Sequence, residues 1–118
     1  MKLLIIDDNV EITEMLQQYF QLEDFEVTIV NDAKSGLELI QNGTFDKILL
    51  DMAMPGFSGL DVLVNLKRQF FKGMNKILIL TASEIDPELE KKIHSLGIKQ
   101  IVAKPIDMVG LIEKLKNN

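Results

Sequence analysis

Five short apolar runs alternate with stretches of helical periodicity along the whole chain, and this order strongly constrains the fold. The runs cover residues 3–6, 27–30, 48–50, 77–80 and 101–103 and consist mainly of Ile, Leu and Val. Continuous apolar runs of this length are typical of strands in a parallel sheet that helices cover on both faces. The sequence therefore predicts an α/β fold, (βα)5, with a doubly wound, parallel five-stranded sheet and right-handed crossovers.

Apolar residues between these runs recur every three or four positions, which is the spacing of one helix face. In the first helix the positions expected to face the core are Ile12, Met15, Leu16, Tyr19 and Phe20. Two helix N-termini carry capping signals, namely Ser58 with Asp61, and Asp86 followed by Pro87. A left-handed residue is expected to end the second, third and fourth helices, and a glycine follows each of them: Gly43, Gly73 and Gly97.

The composition excludes several classes of protein. With 118 residues, of which 47% are hydrophobic and 26% charged, the chain can bury one core and is neither disordered nor fibrous. It has no cysteine, which excludes disulfides and thiol chemistry, and no apolar run of the length that a membrane span needs. A net charge of −5 argues against direct nucleic-acid binding. We expect a single cytoplasmic domain over residues 1–118, without a membrane partner.

Polar residues stand immediately after four of the predicted strands. Asp7 and Asp8 follow the first strand, Asp51 the third, Thr81 the fourth and Lys104 the fifth. The carboxyl ends of parallel strands share one edge of the sheet, and open α/β folds bind their ligands there. Each residue alone could be a helix cap or a solvated side chain, but together they indicate a binding site.

The charges at this edge indicate which ligand the site would take. Asp7, Asp8 and Asp51 carry −3 when ionised, and two such charges about 4 Å apart repel by roughly 4 kcal/mol at an effective dielectric of 20. Lys104 supplies one positive charge, and a divalent cation would bring the sum to zero. Because the ligands are all oxygens, we expect Mg2+, with Mn2+ as the alternative.

These residues carry a resemblance over essentially the whole chain. Asp7-Asp8, the segment from Asp51 to Gly59, Thr81-Ala82 and Lys104-Pro105 occur in an order and at spacings that resemble the receiver domain of two-component response regulators. The resemblance implies a flavodoxin-like strand order of 2-1-3-4-5. It also implies that Asp51 accepts a phosphoryl group from a phosphohistidine of a sensor histidine kinase or a histidine phosphotransfer protein.

The resemblance further assigns roles within the site. Mg2+ would be held by Asp7, Asp8, Asp51 and the backbone carbonyl of Ala53. Lys104 would pair with the phosphoryl group, and Thr81 would donate its hydroxyl to it. Ala82 would leave room beside it, Pro105 would follow a cis peptide bond, and Ala53 and Ser83 would flank the entrance. Such a protein is not an enzyme in the usual sense, because it catalyses only its own phosphorylation and dephosphorylation.

Phosphorylation would switch the surface of the fourth helix, fifth strand and fifth helix, which would bind a downstream protein. Receiver domains often have an aromatic residue three positions before the lysine, whereas this chain has Ile101. We therefore expect a smaller change on this surface. The chain ends just after the fifth helix, so output would occur by docking unless the sequence is an excised domain.

Three other functions fit parts of the pattern. A pseudo-receiver would bind proteins without phosphorylation, but Asp8, Asp51, Thr81 and Lys104 are all present. A phosphohydrolase would need a second acid where Ala53 stands. A flavin carrier would need hydroxyls and amides in place of the acidic loop after the first strand. The phosphorylation switch is the hypothesis that uses all these residues.

Overall fold

The computed structural model describes residues 1–82 and 85–116, in which five strands alternate with five α-helices. Ser83 lies outside the described residues. The strands are β1 (Lys2–Ile6), β2 (Glu26–Val30), β3 (Lys47–Asp51), β4 (Ile77–Thr81) and β5 (Gln100–Ala103). The helices are α1 (Val10–Leu22), α2 (Ala33–Asn42), α3 (Gly59–Arg68), α4 (Pro87–Ser95) and α5 (Met108–Lys116), and a short 3-10 helix covers Met74–Lys76.

All strand pairs are parallel, and the order in the sheet is β2-β1-β3-β4-β5. The (βα)5 prediction from periodicity is confirmed, and so is the strand order that the resemblance implied. The crossover pattern reverses direction between β1 and β3, and this reversal opens a crevice at the carboxyl edge between those two strands. The topology alone therefore places the ends of β1 and β3 side by side.

The sheet separates two apolar cores. On one face, alternate residues of β1, β3 and β4 pack with side chains from α2, α3 and α4, such as Ile40 and Leu63. On the other face, the remaining residues of these strands pack with α1 and α5 through Leu16, Phe20 and Leu111. The central strands are buried on both faces, whereas the edge strands β2 and β5 are largely half-buried. No helix in the described ranges has the length and apolar character needed to cross a bilayer.

The buried face of α1 is narrower than its periodicity indicates. Leu16 and Phe20 are fully buried, and Thr13 is buried beside them. Met15 and Tyr19 are 42% and 48% exposed, so their assignment to the core is wrong. Thr13, Leu16 and Phe20 form a narrow buried stripe along α1, and residues at the border of that stripe stay partly in water.

The helix N-termini agree with the sequence, and the C-termini agree only in part. Ser58 and Asp61 form the capping box, and the Asp86 side chain caps α4. Gly97 is left-handed at φ 98°, as expected. Gly43 and Gly73 have φ of −109° and −99°, so their predicted conformation is wrong. After α3 the left-handed residue is the exposed Phe70, at φ 58°.

Candidate functional site

The residues singled out after the strands lie together at the carboxyl edge of the sheet. Asp51 and Thr81 are the last residues of β3 and β4, and Asp7 and Lys104 directly follow β1 and β5. Asp7, Asp51 and Thr81 are buried, whereas Asp8 is exposed. The site therefore has a buried floor of two carboxylates and a hydroxyl, with one carboxylate at its solvent side.

The three carboxyl groups are close enough to share one cation. One oxygen each from Asp7, Asp8 and Asp51 lies within 4.8 Å of the others. An all-oxygen set in which one ligand faces water suits a hard divalent cation that retains part of its hydration shell. The donor chemistry and the spacing therefore both fit Mg2+.

Lys104 bridges the two buried carboxylates. Its Nζ lies 3.1 Å from Asp7 Oδ2 and 3.6 Å from Asp51 Oδ1, and its side chain is 24% exposed. The Lys104 backbone N–H donates to the Thr81 carbonyl at 2.8 Å, which ties the lysine to the end of β4. The Lys104 ammonium balances one of the two buried carboxylate charges, so the three groups together retain a net charge of −1 when both carboxylates are ionised.

The ionised form of Asp51 is disfavoured by burial and by the neighbouring carboxylate. Burial and, next, the neighbouring charge of Asp7 raise the pKa of Asp51 above its ordinary value. Lys104 and the backbone N–H of Ala53 oppose the rise, but burial and the neighbouring carboxylate outweigh them. Any further positive charge that enters the site stabilises the ionised carboxylate of Asp51.

Backbone N–H groups donate hydrogen bonds to both buried carboxylates. The Asn9 N–H donates to Asp7 Oδ1 at 3.0 Å, and the Ala53 N–H donates to Asp51 Oδ1 at 3.4 Å. A Cβ at Gly59 would lie 2.5 Å from the Asp51 carbonyl oxygen, so only glycine lets α3 begin against this loop. The loop after β3 is therefore held from both sides.

Sequence reasoning missed the role of Asn31. The N-terminus of α2 is capped by Asp32, whose side chain accepts from the Ser35 N–H. The Asn31 Nδ2 instead donates to the Asp7 carbonyl at 2.8 Å and to Thr13 Oγ1 at 3.3 Å. Asn31 thus positions the loop that carries two of the three acids. An Asn after a strand is usually a turn residue, so the sequence contained no signal for this contact.

The residues of the expected switch lie in β5 and in the loops that follow β4 and β5. Ala82 is exposed next to Thr81, and the Lys104–Pro105 peptide bond is cis, as the resemblance implied. Ile101 pairs with Ile79 in the sheet and is half-buried against the core on the α2–α3–α4 side. An aliphatic side chain therefore occupies the position from which an aromatic ring would swing.

The sequence of the chain matches the family model described as response regulator receiver domain over residues 3–116. The chain belongs to this family. Receiver domains are signalling phosphoacceptors of two-component systems rather than enzymes with a turnover substrate, and they interact with sensor histidine kinases and downstream effectors. The expected family is thus confirmed.

Individual relatives agree with this assignment. Transcriptional regulatory protein CpxR of Escherichia coli K12 is 30% identical over 117 residues, which cover 98% of this chain and 47% of that protein. Chemotaxis protein CheY4 of Vibrio cholerae superposes with a TM-score of 0.86 at 27% identity, covering 98% of this receiver domain and 96% of that chain. Response regulator TrrA of Thermotoga maritima, solved with Mg2+-BeF, has a TM-score of 0.81 at 29% identity, with 98% and 96% covered.

The curated transcriptional regulators matched by this receiver domain are longer proteins. The chain spans about half of their length, 48% and 49% for two proteins of Bacillus subtilis. The likeness therefore concerns the receiver domain, and it carries no information about the other half of those regulators.

Replacing Asp51 with Asn should raise the free energy of unfolding at pH 7, in the absence of divalent cations, by on the order of 1 kcal/mol. Because the pKa of Asp51 is raised in the folded state, its ionised form destabilises the fold above that pKa. The destabilisation disappears as the pH falls through the folded pKa toward the ordinary value, so the two proteins should converge in acid. Urea unfolding at a series of pH values measures the difference.

Asp61→Asn is the matched control for this experiment. The capping bonds with Ser58 lower the pKa of Asp61, so its ionised form stabilises the fold and this variant should lose stability at neutral pH. A gain of stability in both variants, or a loss in Asp51→Asn, would contradict the assigned effect of burial and of the neighbouring carboxylate on Asp51.

Asn31→Ala should weaken Mg2+ binding several-fold and lower the free energy of unfolding by about 1 kcal/mol, since it removes the hydrogen bond to the Asp7 carbonyl. Asn65→Ala is the control, because Asn65 Nδ2 also donates to a carbonyl at 2.8 Å, that of Asp61 in α3. The control should lose stability without changing the Mg2+ affinity. Calorimetric Mg2+ titrations and urea unfolding give the two quantities, and equal Mg2+ affinities in both variants would show that Asn31 has no positioning role.

Proposed function

We propose that this receiver domain, spanning residues 1–118, accepts a phosphoryl group on Asp51 from a phosphohistidine of a sensor histidine kinase or histidine phosphotransfer protein. The observation that supports this most strongly is the placement of Asp51 between Asp7 and Lys104, buried except for 3% of its surface. A buried carboxylate with a raised pKa, close to one ammonium and two further acids, lowers the stability of the fold. Such a destabilising cluster is typical of a site that binds a charged ligand.

The residues that would hold Mg2+ are Asp7, Asp8, Asp51 and the backbone carbonyl of Ala53. When bound, the ion supplies positive charge that stabilises the phosphoryl oxygens in the transition state. Mn2+ has similar ligand preferences and would serve in its place.

In the transfer step, a carboxylate oxygen of Asp51 forms a bond to phosphorus while the phosphorus–nitrogen bond of the phosphohistidine breaks. The released electron pair stays on the imidazole nitrogen, which takes up a proton from solvent. Negative charge accumulates on the oxygens of the moving phosphoryl group, and the Lys104 ammonium, already 3.6 Å from Asp51, lies where it can pair with them. In dephosphorylation, a water oxygen forms a bond to phosphorus while the bond between phosphorus and the Asp51 carboxylate oxygen breaks, which restores the carboxylate and releases inorganic phosphate and a proton.

The aspartyl phosphate changes the charge at Asp51 from −1 to about −2 and adds acceptor oxygens. Thr81, at the end of the neighbouring strand, would donate its hydroxyl to these oxygens, and the exposed Ala82 would leave room for them. Because the Thr81 carbonyl accepts from the Lys104 N–H, a shift of Thr81 would also move the loop after β5.

The surface that would report this change consists of α4, β5 and α5, and it would bind a downstream protein. Ile101 lies in β5 beneath this surface, where it packs on the core without a large ring to reorient. We expect the phosphorylation-linked change to be correspondingly smaller. The partners are proteins in the cytoplasm, and the acidic net charge disfavours direct contact with nucleic acid.

Incubation with phosphoramidate and Mg2+, followed by intact-mass measurement, tests the proposal. The wild-type chain should gain one phosphoryl group, and Asp51→Asn should gain none. Removal of Mg2+ by chelation, or Asp8→Ala, should slow labelling by at least ~100-fold, because the positive charge opposite the phosphoryl oxygens is lost. Asp32→Asn is the control, since Asn preserves the cap of α2 on the same edge of the sheet and labelling should continue at the wild-type rate.

Two outcomes would contradict the proposal. Labelling of Asp51→Asn at the wild-type rate would place the phosphoryl group elsewhere. A wild-type chain that binds Mg2+ but is never labelled, by phosphoramidate or by a phosphorylated histidine kinase, would favour the pseudo-receiver alternative.

A further inference from the structure

A second polar concavity lies at the opposite, amino edge of the sheet. This cleft is formed where β3, β4 and β5 begin, and the 3-10 helix and the last turns of α5 complete its walls. Its volume is about 100 Å3, several times the ~10–15 Å3 that one water molecule requires. Buried Ile77, Leu78 and Leu115 form the apolar part of the lining.

The rim of this amino-edge cleft is strongly basic. No Asp or Glu among the described residues lines the cleft. Four lysines from four different segments of the chain do so, namely Lys47, Lys76, Lys99 and Lys114. The whole chain has 18 acidic and 13 basic residues, so the clustering opposes the overall charge. Within residues 1–82 and 85–116, Lys76 and Lys99 form no salt bridge, and both are exposed at the rim.

One lysine of the cleft, Lys47, is influenced by neighbouring charges. Burial lowers the pKa of Lys47, the negative charge of Asp46 opposes this change, and the positive charge of Lys76 adds a smaller lowering. The Asp46 Oδ2 also accepts from the Lys2 backbone N–H at 2.7 Å, on the β1 side of β3. A bound anion would pair most directly with Lys76 and Lys99, which form no salt bridge within the part of the chain that the structure describes.

The shape and the donors indicate the kind of anion. Lysine ammonium groups bind phosphate as point charges with three donors each, and four of them around a small concavity suit a compact ligand of high charge. An acidic protein segment carries single charges spread along a backbone, and it would need an extended basic surface rather than a cleft of this volume. The additional polar donors at the rim are the amides of Asn75 and Gln100.

We propose that the amino-edge cleft binds a diphosphate group, supplied either by free pyrophosphate or by a nucleoside diphosphate. This site is separate from the phosphoacceptor site. Lys47 and Asp51 lie at opposite ends of β3, four residues apart, which corresponds to roughly 13 Å. That separation exceeds the screening length of ~8 Å at physiological ionic strength, so the two sites can be occupied independently.

The test is a titration of the isotopically labelled full chain with pyrophosphate in the presence of EDTA, followed by amide chemical shifts and calorimetry. The amides of residues 76–78 and 99–100 should shift in a saturable manner. The double variant Lys76→Gln/Lys99→Gln should bind at least about tenfold more weakly, because half of the positive charge is removed. These lysines are exposed, so the variant should fold normally, which its amide spectrum will show.

The matched control is Lys34→Gln/Lys67→Gln, which removes the same charge from exposed positions on α2 and α3. It should bind pyrophosphate within twofold of the wild type. A parallel ADP titration distinguishes the two sources, since tighter binding than pyrophosphate indicates a nucleotide and equal binding indicates recognition of the diphosphate alone. Asp51→Asn should bind as the wild type does, so failure of the phosphoacceptor proposal would leave this result unchanged.

Three outcomes would overturn the proposed site. The first is the absence of saturable shifts at the cleft with either ligand, and the second is an equal loss of affinity in the control variant. The third is tighter binding of a hexaglutamate peptide or a short single-stranded oligonucleotide at the same amides, which would identify a macromolecular partner instead.

Discussion

The contact between the buried carboxylates of Asp7 and Asp51 and the single ammonium of Lys104 is the constraint on which the site depends. Two anions near one cation in a buried pocket leave an uncompensated charge, and burial together with the neighbouring charge of Asp7 raises the pKa of Asp51. The fold tolerates this cost because the residues are fixed by strand ends and backbone hydrogen bonds, which leave them no freedom to separate. The same arrangement fits the divalent cation and the phosphoryl group that we propose for this pocket.

The predictable part of the structure follows from periodicity and topology. Continuous apolar runs predict parallel strands, and parallel strands align their carboxyl ends, so Asp7, Asp51, Thr81 and Lys104 had to share one edge of the sheet. Periodicity leaves the order of the strands undetermined, since right-handed crossovers permit several arrangements, and the expected order came from the family resemblance. It is confirmed by the pairing of β1 with both β2 and β3.

Other features depend on tertiary contacts that a single sequence does not encode locally. Met15 and Tyr19 have the spacing of a buried face, but the width of the contact between α1 and the sheet leaves both partly exposed. Gly43 and Gly73 stand where helices end, yet Phe70 takes the left-handed conformation after α3. The bond from Asn31 to the Asp7 carbonyl joins residues 24 positions apart. Each of these depends on how two elements meet.

The same three strands present opposite chemistry at their two ends. At the carboxyl ends of β3, β4 and β5 lie an acid, a hydroxyl and the lysine after β5, whereas four lysines line the cleft at the amino ends of these strands. The acidic end suits a cation and a covalent phosphoryl group, and the basic end suits a reversible anion. The separation across the sheet would let one small domain carry both proposed ligands without mutual neutralisation.

Mg2+ titration of the wild-type chain and of Asp51→Asn, followed by the amide resonances of residues 7–9 and 51–53, tests the central claim most directly. The account predicts saturable shifts confined to these two loops in the wild type at physiological Mg2+ concentrations, and much weaker binding in the variant. Wild-type resonances that do not respond to Mg2+, or that respond equally in Asp51→Asn, would contradict the claim that the three carboxylates form a divalent-cation site.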